Sequence, residues 1–235
     1  MRARQRHLNP KDAGATAAFD ARFGLTMANG AVVDTWTNRA GGNNATQSTN
    51  NFRPIYRATG GNSNSPAVEF DGSNDYLVHN IGITVAPNLI MAVAKRTGGG
   101  SLSTIASFTP PNTANFNAIY ARIPLGVDTN WGFVPEDSGQ TILNEYKICS
   151  AVPASTSTVS SSTTMWTNGA NEKTATGSRY GGDVESRRHL GAGLAGGELL
   201  LGSISQVVAI PAELSAALRR RLEKAAGYSF KIACS

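Results

Sequence analysis

The stretch AVEFDGSNDYL, residues 67–77, decides most of what the sequence predicts about the fold. Short apolar segments flank a run of Asp, Gly, Ser and Asn, which is typical of two β-strands joined by a tight turn. The same run contains Asp71 and Asp75, four residues apart and close to Glu69. Three interpretations are open at this point: a pair of catalytic acids, a calcium-binding loop, or a turn without further function.

Calcium binding and turn formation can be compared from the residues of the turn alone. Asp71, Asn74 and Asp75 offer the oxygen ligands that calcium prefers. The set contains few acidic groups, however, and Asp and Asn side chains commonly accept hydrogen bonds from their own backbone in turns. We therefore favour the turn, with Gly72 as a turn residue, and we expect no metal ion and no cofactor.

The composition of the whole chain indicates an all-β domain. The chain has 235 residues, of which 40% are hydrophobic and 16% charged, so a sizeable core can form. Its 25 glycines, together with abundant Ser, Thr and Asn, favour many short strands over long helices. Strands are predicted at residues 31–37, 67–70, 75–79, 88–95, 102–108, 117–123, 146–152, 163–167 and 199–210. Asn168-Gly169 predicts a type I′ hairpin turn.

The end of the chain predicts a strand followed by one amphipathic helix. Pro211 suits the first turn of this helix and Gly227 suits its end. In the strand, one face is predicted to carry Ile204, Val208 and Ile210, with Gln206 as the polar exception. The apolar face of the helix carries Leu214, Leu218 and Leu222, and the solvent face is predicted to carry Arg219, Arg220, Glu223 and Lys224. A closing strand is predicted from the alternation of Tyr228, Phe230 and Ile232.

The charge distribution suggests that both ends of the chain dock onto a partner. The formal net charge is +5, and residues 1–13 form a basic N-terminal arm. The predicted docking residues for an acidic partner surface are Arg2, Arg4, Arg6, Arg219 and Arg220. A solvated tail and helix face is the simpler alternative, and no nucleic-acid binding is predicted. Because no apolar segment follows the charged N-terminus, and no run of about 18 apolar residues occurs, neither a signal peptide nor membrane association is predicted.

Four segments resemble, in the same order, the motifs of concanavalin A-like lectin/glucanase (laminin-G-like) jelly-roll domains. They are AVVDTWTNRAGGNNATQ (31–47), RPIYRA (53–58), AVEFDGSNDYL (67–77) and LGSISQVVAIPAELSAALRRRLEKAAGYSF (201–230). The resemblance implies an all-β fold, a two-sheet antiparallel jelly-roll sandwich with one C-terminal amphipathic helix, formed by residues 14–235. The expected core residues are Trp36, Phe70, Tyr76 and Leu77.

Catalysis is not expected, although enzymes of this family carry several acids on one strand. Their glucanases have a Glu-x-Asp-x-Glu arrangement, in which the period of two places three acids on one face. In this chain Glu69 and Asp71 are followed by Ser73 at the third position. The family's acid in the last strand is Gln206 here, and an aspartate of its turn is Asn74. No nucleophile elbow, phosphate loop or Cys/His metal spacing occurs. The protein is therefore predicted not to be an enzyme.

Sugar recognition is predicted at two segments that combine aromatic and polar residues. In NWGFVPEDSG, residues 130–139, Trp131 and Asp137 are expected to lie in a loop at one rim of the sandwich. In GSRYGGD, residues 177–183, Tyr180 is the second candidate. An ordinary loop anchor is the alternative for each of them.

These expectations favour a non-enzymatic structural or recognition protein. Stand-alone domains of the family look like components of tailed-phage virions, so we predict a virion protein made in the host cytoplasm, either a capsid decoration or a tail-associated protein. Its partners would be the major capsid protein or tail proteins, further copies in a homo-oligomer or symmetric array, and cell-surface glycans. The alternatives are a glycan-binding lectin with no particle role, and a glycoside hydrolase or lyase with a nonstandard site.

Overall fold

The computed structural model describes residues 9–82, 88–99, 102–108, 118–122, 130–133, 136–153, 161–177, 188–193, 198–212 and 214–234. Within these ranges the chain forms sixteen β-strands, three short 3-10 helices and one α-helix. None of the helices in these ranges has the length and the apolar character that crossing a membrane requires.

The strands are short and most of them lie where the sequence predicts strands. They are β1 Ala17–Asp20, β2 Thr35–Trp36, β3 Ala45–Thr46, β4 Ile55–Arg57, β5 Ala67–Asp71, β6 Leu77–Val78, β7 Leu89–Gly98, β8 Leu102–Ser107, β9 Ala118–Arg122, β10 Asn130–Phe133, β11 Glu136–Thr141, β12 Lys147–Pro153, β13 Ser161–Thr167, β14 Ala170–Gly177, β15 His189–Leu190 and β16 Leu201–Ile210. The α-helix, α1, spans Ala216–Phe230, and the 3-10 helices span Pro10–Ala13, Asn50–Phe52 and Asn62–Asn64. Two strands are shorter than predicted: only β2 forms within the predicted strand at 31–37, and only β6 forms within the one at 75–79.

Two antiparallel sheets form a sandwich. Sheet A has the order β14-β13-β12-β7-β16-β5-β4, and sheet B has the order β11-β10-β9-β8-β15-β6-β3-β2. In sheet A, one edge of β16 pairs with β7. The other edge pairs with β5 in the first half of the strand and with β1 in the second half. The predicted fold class, an all-β two-sheet antiparallel sandwich with one C-terminal helix, is confirmed.

Large apolar side chains fill the space between the two sheets. Trp36, Phe70 and Leu77 have no exposed surface, as the sequence predicts. The ring centroids of Phe19 and Trp36 lie 5.9 Å apart. Burial of each such side chain stabilises the fold by about 1.5–3 kcal/mol. Tyr76 differs from the prediction because it is only partly buried and precedes β6.

Helix α1 packs on the outer face of sheet A and forms a second apolar cluster there. Leu222, Ala226 and Phe230 of the helix are buried in this cluster together with Met91 and Val93 of β7. The helix begins after Ser215, whose side-chain oxygen accepts a hydrogen bond of 3.2 Å from the backbone N–H of Leu218. The predicted start at Pro211 is therefore wrong by about one turn.

Gly227 lies inside α1 and does not end it. A Cβ atom at this position would lie 2.8 Å from the Cβ of Cys234 and 2.8 Å from the carbonyl oxygen of Ile232. Because glycine has no Cβ atom, the segment that follows the helix can pack closely against it at this position. The helix continues through Phe230 and ends at Lys231, whose φ is 51°. The prediction of a helix end at 227 and of a closing strand after it is wrong.

A β-bulge in β16 changes which side chains share a face. The register with β7 shifts between Ile204 and Gln206, so Ser205 is the extra residue. Since an extra residue inverts the alternation, Ile204 faces the core between the sheets, whereas Val208 and Ile210 face α1. The predicted common face for these three residues is wrong.

The hairpin between β13 and β14 has the predicted turn. Thr167 pairs with Ala170 across the turn. Asn168 has φ 53° and Gly169 has φ 78°, so both central residues adopt the positive φ that a type I′ turn requires. The local dipeptide therefore predicts both the position and the type of this turn.

Candidate functional site

The turn at residues 71–75 is held by its own side chains. The Asp71 carboxylate accepts hydrogen bonds from the backbone N–H groups of Ser73 at 2.8 Å and Asn74 at 3.1 Å. The Asp75 carboxylate accepts one from the N–H of Asp71 at 3.0 Å. Gly72 has φ 72°, and a Cβ there would lie 2.6 Å from the Cβ of Leu201. These carboxylates therefore cap the backbone, which confirms the turn interpretation.

The three acids of a glucanase-like strand are not assembled around this turn. Glu69 of β5 forms an ion pair with Arg57, in which the Nε···Oε2 distance is 2.8 Å. The third position is Ser73, which lies beyond the end of β5 in the turn. In the part of the chain that the structure describes, no group of three or more His, Cys, Asp or Glu side chains is arranged to hold a metal ion.

The ionisation of Asp75 is perturbed by its place in the turn. Burial, together with the nearby carboxylates of Asp71 and Glu69, raises the pKa of Asp75 to about 6. A raised carboxyl pKa can mark a functional acid. Here the carboxylate is used by the backbone of the turn, so the shift has a structural cause.

Replacing Asp75 by asparagine is expected to stabilise the protein by about 1–2 kcal/mol near pH 8 and to have little effect near pH 4. The folded-state pKa lies above the ordinary value of 3.8, so the stability associated with the protonated form is present at low pH and is lost as the pH rises through about 6. The amide oxygen of asparagine keeps the hydrogen bond from Asp71. Urea unfolding at both pH values measures the effect, and an Asp75→Asn variant less stable than the wild type near pH 8 would contradict it.

The described residues of the predicted sugar-binding segment, 130–133 and 136–139, lie in two paired strands. Trp131 lies in β10, where it pairs with Ala121 of β9, and Asp137 lies in β11, where it pairs with Gly132. The loop prediction for this segment is therefore wrong, since both residues lie in strands of sheet B. The side chains of Trp131 and Asp137 lie outside the described part of the structure, as do Tyr180, Arg2, Arg4 and Arg6.

Arg219 and Glu223 are buried, which corrects their predicted place on the solvent face of α1. Arg219 is 4% exposed and Glu223 has no exposed surface. The Arg219 Nη1 lies 2.6 Å from the Glu223 carboxylate, and its guanidinium carbon lies 3.7 Å from the ring centroid of Trp166. A buried charge requires such partners. Arg219 is thus held inside the fold, whereas Arg220 is exposed.

The outer face of sheet B brings together a row of three rings that the sequence does not predict. The aromatic row consists of Phe52, Tyr76 and His189, all partly exposed. The ring centroids of Phe52 and Tyr76 are 5.9 Å apart, and those of Tyr76 and His189 are 5.5 Å apart at 80°. Burial lowers the pKa of His189, so its ring is neutral at pH 7. The row therefore presents uncharged rings on an open sheet face.

A polar groove lies beside the aromatic row. Cross-strand neighbours share a face, and Val78 pairs with both Thr46 and His189, so these residues join the groove to the rings. Val78 is 37% exposed. The groove has a volume of about 380 Å³ and is lined by Asp34, Thr35, Thr46, Gln47, Ser48, Arg53 and Val78.

Side-chain hydrogen bonds of Gln47 and Arg53 connect the groove to the aromatic row. The Gln47 side-chain amide donates to the carbonyl oxygen of Tyr76 at 3.2 Å and accepts from the N–H of Thr49 at 3.0 Å. Arg53 donates to the carbonyl oxygens of Gln47 and Ser48. These contacts order the loop that borders the groove. Asp34 and Thr46 are exposed in the groove, and their side chains can form hydrogen bonds with a ligand.

The fold and this face define the chain as an antiparallel β-sandwich with an open, aromatic-lined sheet. No protein-family model matches the sequence, and no curated protein matches it. Solved structures share the fold. An arabinofuranosidase complexed with arabinofuranosyl-α-1,2-xylobiose aligns with 96% of this chain at a TM-score of 0.62 and 13% identity. Domain 4 of AbnA, a GH43 extracellular arabinanase from Geobacillus stearothermophilus in complex with arabinotriose, aligns with 90% at a TM-score of 0.51 and 15% identity.

A third similar structure is a sialidase of Trypanosoma rangeli in complex with sialic acid, with a TM-score of 0.54 and 12% identity over 90% of this chain. This chain spans 65% of the arabinofuranosidase chain and 33% of the sialidase chain, but 98% of the arabinanase domain. At these identities the comparisons show a shared β-sandwich fold.

Proposed function

We propose that this protein binds carbohydrate on the outer face of sheet B and does not catalyse a reaction there. The observation that carries the proposal is the aromatic row beside the polar groove. A sugar ring stacks on aromatic side chains through its C–H groups, while its hydroxyl groups need donors and acceptors at the side. Tyr76 and His189 provide rings, and Asp34, Thr35 and Thr46 provide polar groups.

Two further observations support recognition without catalysis. Domain 4 of AbnA, whose whole length this chain nearly spans, was solved in complex with arabinotriose. In the described part of the chain, the two acids that come closest to a glucanase pattern already have partners. Glu69 forms an ion pair with Arg57, and Asp71 accepts hydrogen bonds from the backbone of the turn. A hydrolase or lyase would be indicated if incubation with arabinan, β-glucan or alginate released reducing ends.

Replacing Tyr76 by alanine is expected to weaken glycan binding about threefold to tenfold, because one stacking contact is lost. The ligand is first selected on a glycan array and its affinity is then measured by isothermal titration calorimetry. Tyr228→Ala is the matched control, since this tyrosine is 70% exposed on α1, on the other side of the sandwich. Thr46→Arg, at an exposed position, tests the groove with little effect on folding.

Other outcomes of the same titration place the ligand elsewhere. If Trp131→Ala abolishes binding while Tyr76→Ala and Thr46→Arg do not, the ligand lies at the paired strands β10 and β11, in the segment that the sequence predicts. If no glycan on the array binds, the proposal of a lectin function is wrong and a purely structural role remains.

For the biological setting we propose a component of a tailed-phage virion, made in the host cytoplasm and arranged in several copies against capsid or tail proteins. The family resemblance of the sequence and the basic residues at both ends of the chain support this setting. Mass spectrometry of purified virions from the source tests it, and virions that never contain the chain would exclude it.

A further inference from the structure

A second cleft lies at one end of sheet A, where turns from four parts of the chain meet. The turn cleft has a volume of about 520 Å³, and its polar lining includes Asn62, Asn64, Lys95, Asn144, Lys147 and Lys231. Six described non-glycine residues have positive φ, and five of them line this cleft: Ser63, Asn64, Asn144, Asn168 and Lys231. Such backbone is costly for Ser and Lys, and it is retained where the surrounding structure holds it in place.

The turn cleft is positively charged. Its lining contains three lysines, Lys95, Lys147 and Lys231, and one acid, Glu145, which gives 3 − 1 = +2. Glu145 is already paired with Lys147 at 2.6 Å. Lys95 lies 5.0 Å from the ring centroid of Tyr146, and neither it nor Lys231 has an ion pair within the described residues. Two cationic groups are therefore available to a ligand.

The asparagines of the turn cleft divide into two pairs with different roles. Asn62 donates to the carbonyl oxygen of Phe230 at 2.8 Å, and Asn168 accepts from the N–H of Ile148 at 2.9 Å. These two amides join the turns into one framework. Asn64 and Asn144 are exposed and have no side-chain hydrogen bond within the described part of the chain. Their amides can donate to and accept from hydroxyl groups.

The solvent face of α1 extends the positive charge of the turn cleft. Arg220, Arg221 and Lys224 are exposed, and the helix leads directly to Lys231 at the rim. The acid of this helix, Glu223, is buried against Arg219 and does not offset them. An elongated anionic ligand that occupies the cleft would therefore meet further cations along the helix.

We propose that the turn cleft is a second binding site, for an acidic polysaccharide whose sugar rings carry carboxylates. Unpaired amides recognise hydroxyl groups, and the two lysines recognise carboxylates spaced along the chain. A nucleic acid would present phosphates and stacking bases, and the described lining offers no exposed ring for the bases, since Tyr146 is only 9% exposed. The site lies on sheet A and is independent of the glycan site proposed on sheet B.

The test compares sodium polygalacturonate with its methyl-esterified form, which has the same backbone without the charge. The wild-type protein is expected to bind the acidic polymer, to bind the ester at least about fivefold more weakly, and to lose affinity as sodium chloride is added. The Lys95→Gln/Lys231→Gln double variant is expected to bind the acidic polymer about fivefold to tenfold more weakly, because two positive charges of the cleft lining are removed.

The control is the Lys11→Gln/Lys173→Gln double variant, which removes the same charge at exposed lysines outside the cleft. It is expected to bind within about twofold of the wild type. Equal loss in both double variants would show unspecific attraction and overturn the site, and equal binding of the ester would overturn carboxylate recognition. Tyr76→Ala is expected to leave binding of polygalacturonate unchanged. If it abolishes this binding as well, the polymer is bound by the glycan site on sheet B and the inference is wrong.

Discussion

Replacing Gly191 by alanine is expected to destabilise the protein by about 3–5 kcal/mol. Gly191 follows β15 with φ 83°, a conformation that costs an L-residue about 1–2 kcal/mol. A Cβ atom there would also overlap the ring of Phe70, which is fully buried between the sheets. The ring cannot move away without disturbing the core, because close-packed interiors offer little free space.

Gly30→Ala is the matched control for this substitution. Its φ is 86°, nearly the same as that of Gly191, but no heavy atom lies within 4 Å of the added Cβ. The loss is therefore expected to be only about 1–2 kcal/mol. Urea unfolding of both variants separates the cost of backbone conformation from the cost of overlap, and equal losses would show that the contact with Phe70 is relieved without cost.

Acid is expected to destabilise the protein by about 2–3 kcal/mol between pH 6.5 and pH 4.5 through His79 alone. His79 is 1% exposed and its ring lies 4.7 Å from that of Phe108 and 5.8 Å from that of Phe19. Burial, together with the nearby His189 and Arg188, lowers the pKa of His79 to about 3. The unfolded chain takes up a proton near pH 6.5 and the folded chain does not. The contribution of neutral His79 to the free energy of unfolding is therefore fully present above pH 6.5, and it decreases as the pH is lowered toward 3.

His79→Asn tests this prediction through the slope of stability against pH. The Nδ1 atom of His79 accepts a hydrogen bond of 3.3 Å from the N–H of Ile81, and the amide oxygen of asparagine can replace it. The variant is expected to lose most of the slope between pH 6.5 and 4.5, whatever its stability at pH 7. A smaller slope from His189 remains, because burial also lowers the pKa of that residue. An unchanged slope in His79→Asn would show that other groups cause the acid sensitivity.

The features that could be predicted from the sequence depend on local chemistry. The turn around Gly72, the hairpin at Asn168-Gly169 and the place of Leu222 on the apolar face of α1 follow from residues that are neighbours in the chain. The features that could not be predicted depend on distant contacts. A bulge at Ser205 inverts the faces of β16, and Trp166, far away in the sequence, provides the surface that covers Arg219.

The candidate site on sheet B cannot be predicted from the sequence for the same reason. Phe52, Tyr76 and His189 come from three separate segments. The pairing of β15 with β6 brings His189 to Tyr76, and a backbone hydrogen bond from Tyr76 to Phe52 brings in the third ring. The sequence predicts Tyr76 in the core because it is a large residue at a predicted strand position. One available signal was that Tyr76 and Val78 share a strand face opposite to Leu77, so the burial of Leu77 implies an exposed position for the other two.

The position of β16 in sheet A determines when this protein can fold during its synthesis. This strand pairs with β7, β5 and β1, yet it is the last of the described strands to leave the ribosome, beginning at Leu201. Until then the nascent chain carries the apolar strand β7 and the edge of β5 without the partner between them. Sheets that depend on such remote pairing fold slowly and expose edges that aggregate. Sheet A therefore cannot be completed before β16 has left the ribosome, and chaperones that hold nascent chains are expected to raise the soluble yield.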